Sequence, residues 1–125
     1  MTGDIKVSLP AQPEFLHVLR SVVASAAASM DFTIDTIDDL RLVVDEACGQ
    51  VLELSPDSAV LTLTIGLGDG SMELTVSGDG SPPNAPQNVK DSMAWTILSA
   101  LSDSVKLEDG GLPSVRLIKS NRLVS

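Results

Sequence analysis

The chain has no tyrosine, one tryptophan, two phenylalanines, one cysteine and one histidine, and only eight lysines and arginines against seventeen aspartates and glutamates. Each scarcity excludes something. Aromatics at 2% of 125 residues leave no platform on which nucleobases could stack. A formal net charge of -9 repels a phosphate backbone, so no nucleic acid is expected as a partner. Cys48 alone cannot form an intrachain disulfide or a cysteine-built zinc site, and His17 has no placed partner for triad chemistry. No window reaches the ~18 apolar residues of a membrane span, and the start lacks a basic segment followed by an apolar one. The expectation is a cytoplasmic protein without a membrane partner.

What remains is an aliphatic chain, 43% hydrophobic, of a length that fits one domain over residues 1–125. Ile5-Lys6-Val7-Ser8-Leu9 alternates as a half-buried strand does, and Pro10 ends it. From Pro13, the positions Phe15, Leu19, Val22, Val23, Ala26 and Met30 recur at helical spacing. Thr33 or Asp35 caps a second helix with Ile37, Leu40, Val44, Ala47, Cys48 and Val51 on its inward face, stopped by Pro56 and Asp57. Residues 61–65 and 72–76 alternate around a glycine-rich turn and read as an antiparallel hairpin. A loop over 77–91 leads to a third helix, capped by Asp91 or Ser92. Two strands, 105–108 and 115–117, flank a turn at Asp109, Gly110 and Gly111.

The order is βααββαββ. Every strand sends aliphatics to one face and Lys6, Ser8, Thr62, Thr64, Glu73, Thr75, Lys106 or Arg116 to the other. That pattern predicts a two-layer α/β (α+β) sandwich, a mostly antiparallel sheet with helices on one face.

Few groups suggest chemistry. On the second helix Asp39, Glu46, Gln50 and Glu53 read as a line opposite the inward face, either a solvated acidic stripe or a general base with a ligand one turn away. Gly78 and Gly80 follow a strand, where backbone can approach a ligand closely, with Asp79 between them as a loop acid or a hydrogen-bond acceptor. His17 and Arg20 sit close together on the first helix. Arg116, Lys119 and Arg122 form the one grouping of cations.

Together the element order and three segments resemble the anti-sigma factor serine kinases of bacteria, a branch of the GHKL (Bergerat-fold, histidine-kinase-like ATPase) superfamily. The branch carries a pattern close to Leu-Ala-Val-x-Glu-Ala-x-x-Asn on its second helix, and here Leu42-Val43-Val44-Asp45-Glu46-Ala47-Cys48-Gly49-Gln50 follows it up to the last position. Its Val-x-Asp-x-Gly box is matched by Val76-Ser77-Gly78-Asp79-Gly80. Its Ser-Gly-x-Gly box is matched by Asp91-Ser92-Met93-Ala94-Trp95-Thr96-Ile97. The likeness runs from about Ile5 to Lys119.

The resemblance implies that Glu46 is the general base of a protein-serine kinase and that Gln50 stands where an asparagine holds Mg²⁺. It also implies that Gly78, Asp79, Gly80, Ser92 and Ala94 lie along an ATP or ADP site. The departures fall on those positions. Gln50 is longer than asparagine by a methylene, about 1.5 Å. Gly78 takes the place of the adenine-binding aspartate, with Asp79 one residue off, and Ser92 and Ala94 replace glycines. The lid from Gly80 to Asp91 holds only Lys90 as a cation for a triphosphate. The expectation is therefore a regulator that sequesters a sigma factor, with weak or lost ATP binding, countered by an anti-anti-sigma (STAS-type) protein. The resemblance further implies a homodimer and a partner-binding patch around His17 and Arg20. The alternative is an active Mg²⁺- and ATP-dependent serine-protein kinase acting on an anti-anti-sigma factor.

Overall fold

The computed structural model describes residues 3–81, 92–108 and 113–121. The strands are β1 (Gly3–Pro10), β2 (Val60–Leu67), β3 (Ser71–Gly78), β4 (Ser104–Glu108) and β5 (Ser114–Ser120), and the helices α1 (Leu16–Ser29), α2 (Ile34–Leu54) and α3 (Met93–Leu101). The sheet order is β1-β2-β3-β5-β4, and every neighbouring pair is antiparallel. The two-layer sandwich in the order βααββαββ is the architecture found. The lid with Lys90 and Asp91, the turn at Asp109, Gly110 and Gly111, and Arg122 lie outside the described residues.

Alternation builds the layers. Leu61, Leu63 and Ile65 of β2, Met72, Leu74 and Val76 of β3, and Val115 and Leu117 of β5 are buried beneath the helices. The register aligns Lys6, Thr64, Thr75, Arg116 and Lys106 in one row across the other face. There Arg116 pairs with Glu73 at 3.3 Å and with Glu108 at 3.4 Å.

Local chemistry sets the helix ends. Thr33, rather than Asp35, caps α2, its Oγ1 accepting from Thr36 N at 3.2 Å. Ser92 caps α3 by accepting from Trp95 N at 3.1 Å. The first helix begins later than its pattern predicts, because Pro13 opens a 3-10 turn (Pro13–Phe15) before the α-helix starts at Leu16. Between α1 and α2, Asp31 takes a φ of 59°, a left-handed conformation that aspartate tolerates better than most residues. Asn121 holds this turn, accepting from Thr33 N at 2.9 Å and donating Nδ2 to Asp31 O at 3.2 Å.

Two expectations need correction. Gln50 belongs to the buried side of α2 at 2% exposure, and Val43 is fully buried. As the middle helix, α2 packs on α1, on α3 and on the sheet, so its apolar arc is wider than one stripe. The cation grouping also divides, since residues three apart on a strand face opposite ways. Arg116 lies on the open face, whereas Lys119 is 4% exposed under the helices. Its Nζ donates to Leu101 O at 2.6 Å and to Asp39 Oδ2 at 3.2 Å, joining β5 to both α2 and α3.

Removing the cation while keeping its counter-charge should be costly. Lys119→Ala is expected to lower the unfolding free energy by about 3 kcal/mol. Lys119→Met combined with Asp39→Leu should lose clearly less, both being read from urea unfolding.

Candidate functional site

The site predicted from sequence lies where β3 ends against the C-terminal half of α2. Gly78 is buried, and a Cβ there would run into Ser58 Oγ and sit 3.2 Å from Val51 Cγ1. At Gly80 a Cβ would collide with Asp57 Oδ1 and crowd Ser58 N and Ser55 Oγ. These glycines admit the segment from Ser55 to Ser58, which follows α2.

That segment and residues 78–81 satisfy one another's polar groups. Gly80 N donates to Ser58 Oγ at 3.0 Å, and Ser58 Oγ donates to Ser55 Oγ at 3.0 Å. Ser81 N donates to Asp57 Oδ1 at 2.8 Å. Asp79 turns towards the start of β2, where its Oδ1 accepts from Ala59 N at 2.8 Å and Val60 N at 3.1 Å. Hydrogen bonds from Val60 N and then Ala59 N stabilise its charged form and hold its carboxyl below the ordinary range. The result is a polar clasp between the ends of α2 and β3.

Glu46 lies one turn before Gln50 on α2 and is half-buried, with no ion pair among the described residues. Gln50 Oε1 is buried and has no hydrogen-bond partner among the described residues. Ser92 and Ala94 stand at the start of α3, which packs on α2. Cys48 has its thiol pushed up to about 12, first by burial and then by the nearby Asp45 carboxylate. It is a neutral packing group, not a nucleophile.

On α1, Arg20 Nη1 reaches Asp45 Oδ2 at 3.2 Å, so the first helix is tied to the residue preceding Glu46. The Arg20 side chain remains 43% exposed. Exposed His17 donates Nδ1 to Glu14 O at 2.9 Å, in the 3-10 turn that leads into its helix.

A family model described as "Histidine kinase-like ATPase domain" matches residues 9–119. The chain belongs to that family. It is 26% identical over 111 residues to the serine-protein kinase RsbW of Bacillus subtilis, a match that spans 86% of this chain and 68% of that one. It is 29% identical over 112 residues to the anti-sigma-F factor RsbW of Mycobacterium tuberculosis, spanning 89% of this chain and 66% of the relative. The fold is also that of a crystal structure of RsbU and RsbW domains from M. tuberculosis. That match has a TM-score of 0.68 at 15% identity, covering 99% of this chain and 34% of the other.

The residues around Gly78 do not offer the adenine acceptor that the resemblance implies. The side of position 78 where the family's acceptor carboxylate would project is filled by Ser58 and Val51, while Asp79 points at the β2 backbone. Sequence reasoning missed Ser55, Asp57 and Ser58, although a Ser-Pro-Asp-Ser run is a recognisable source of side-chain to backbone bonds.

Gly80→Ala is expected to cost about 1–3 kcal/mol in urea unfolding, because the added methyl meets the clasp. Asp79 has a depressed folded pKa, so its contribution is present above the unfolded value and disappears as pH falls through the folded one. Thermal midpoints of the native chain and Asp79→Asn should therefore differ at pH 7 and converge below the ordinary carboxylate range of about 4. Cys48 should resist iodoacetamide at pH 8 in the folded protein and react once guanidinium is added, as mass spectrometry would show.

Proposed function

We propose that this chain is an anti-sigma-factor-like regulator that binds and sequesters a sigma factor in the cytoplasm, acts as a homodimer and is released by a STAS-type anti-anti-sigma protein. In this reading, partner binding does not depend on nucleotide. The observation that carries it is the contrast between two surfaces of one family fold. Beside Gly78 and Gly80, where the resemblance implies a nucleotide, stand the chain's own Val51, Ser55, Asp57 and Ser58, whereas the Arg20 side chain stays half-exposed on α1, anchored by Asp45. The relatives named as anti-sigma factor and serine-protein kinase support the same assignment. A protein of net charge -9 also favours a basic partner surface and faster encounter at low salt.

Calorimetry with the sigma factors of the source organism tests this. Binding is expected at low salt, weakened by added salt, unchanged by ATP with Mg²⁺, and reduced about tenfold by Arg20→Glu. Failure to bind any of them would overturn the reading.

A second reading, the serine-protein kinase, draws on Glu46, which is half-buried and without an ion pair among the described residues, as a general base should be. Transfer of labelled phosphate from ATP to an anti-anti-sigma partner, abolished by Glu46→Ala, would establish it in place of the first.

A further inference from the structure

We propose that the outward face of α2 is a docking seam for a basic amphipathic helix of the sigma factor. The inference rests on the sigma-factor reading above and adds the surface and the partner element that it grips. Residues seven apart on a helix return to nearly the same side, falling back about 20° per repeat. On α2 this aligns Asp35, Leu42 and Gly49, all exposed, as a spine on the side away from its buried residues. Asp38 and Asp45 run along one flank of the spine, and Asp39, Glu46 and Glu53 along the other. From Asp35 to Glu53 the seam is about 27 Å long, at a rise of about 1.5 Å per residue.

Two residues of the spine have no use inside the chain. Leu42 is 44% exposed in the middle of its helix, whereas the other exposed large apolar residues, Ile34 and Met93, are the first residues of theirs. Gly49 lies in the helix interior, where glycine is a poor helix former. Its backbone does not take a positive φ, and a Cβ there would meet no described atom within 4 Å. Neither conformation nor packing within the chain calls for glycine. An apolar side chain followed about two turns later by a gap suits the side chains of a second helix, which a seven-residue repeat packs at a crossing angle of about 20°.

The charges choose the occupant. Arg20, Arg41 and Lys119 pair with Asp45, Asp38 and Asp39 respectively. Asp35, Glu46 and Glu53 have no ion pair among the described residues, so the seam keeps negative charge to offer. A second copy docking through the same seam would set carboxylates against carboxylates, and a nucleic acid or an anionic membrane would bring phosphates to them. A helix with Lys or Arg on both flanks and an apolar stripe between them matches all three rows. Asp45 belongs to one flank and holds Arg20, so the seam is continuous with the partner-binding patch proposed on α1.

Calorimetry of the full chain with the sigma factor that it binds tests the seam. Gly49→Gln should raise the urea midpoint, because glutamine is the better helix former and has room, yet weaken binding about tenfold. A residue acting only through the fold would move stability and binding in the same direction. Leu42→Gln should weaken binding by a similar factor, with circular dichroism confirming that each variant folds. Glu53→Lys should weaken binding and flatten its dependence on salt. Binding indifferent to Gly49→Gln and Leu42→Gln but lowered by Arg20→Glu would overturn the seam and leave the sigma-factor reading standing. A loss confined to Glu53→Lys would also overturn it, since charge would then act without close contact. If no sigma factor binds the native chain, the reading and the seam fall together.

Discussion

The arrangement of the helical layer turns on one buried cation. Lys119 emerges from β5 on the side where every neighbouring strand residue is aliphatic, and its ammonium is carried into the space between α2 and α3. An unpaired ammonium there would be untenable, so the groups that meet it are placed by necessity. Asp39 supplies a counter-charge from the first turns of α2, and the Leu101 carbonyl supplies the C-terminal end of α3, where the helix dipole favours a cation. Three elements distant in sequence thereby share one electrostatic junction. The end of α3 is held by Lys119, its middle by Leu98 in the core and its start by the Ser92 cap.

With the helices anchored, α2 becomes the axis of the molecule. Its N-terminal end is tied through Asp39 to β5 and through the Asn121-braced turn to α1, its middle through Asp45 to Arg20, and its C-terminal end through Ser55 to the clasp. Positions that the resemblance aligns with a nucleotide site are bordered here by intramolecular contacts. Ser58 and Val51 stand beside Gly78, and Asp57 stands beside Gly80. The same two glycines that would let a backbone approach a nucleotide let this backbone approach its own α2–β2 connection. A glycine in such a place does not by itself indicate a ligand, because close approach is all that glycine guarantees.

Much of the architecture was legible from pattern alone. The alternation of Leu61, Leu63 and Ile65 with Thr62 and Thr64 predicts a half-buried strand, and five such strands with polar residues on one side predict a single helical layer. The caps at Thr33 and Ser92 were readable as one of two choices each, since a hydroxyl or carboxylate just before a helical period satisfies the first free N–H groups. The site was less legible. A helical wheel assumes one buried side, and α2 has neighbours on three, so Gln50 was placed on the wrong side of it. Arg116 and Lys119 looked like one patch in the sequence because proximity along a strand does not distinguish its two faces.

Local periodicity, punctuation by proline and glycine, and three family-like segments were enough for the sequence by itself to determine the element order, the layering and the family. These properties depend on contacts between near neighbours, or on which face a residue occupies, and both are encoded by spacing. Only the tertiary structure decided which polar groups meet. Lys119 finds Asp39, Asn121 finds the α1–α2 turn, and Asp79 finds the start of β2 rather than the helix side, across separations of 80, 88 and 20 residues. Such pairings follow from the need to satisfy buried or converging polar groups once the chain has folded, and no periodicity in the sequence announces them.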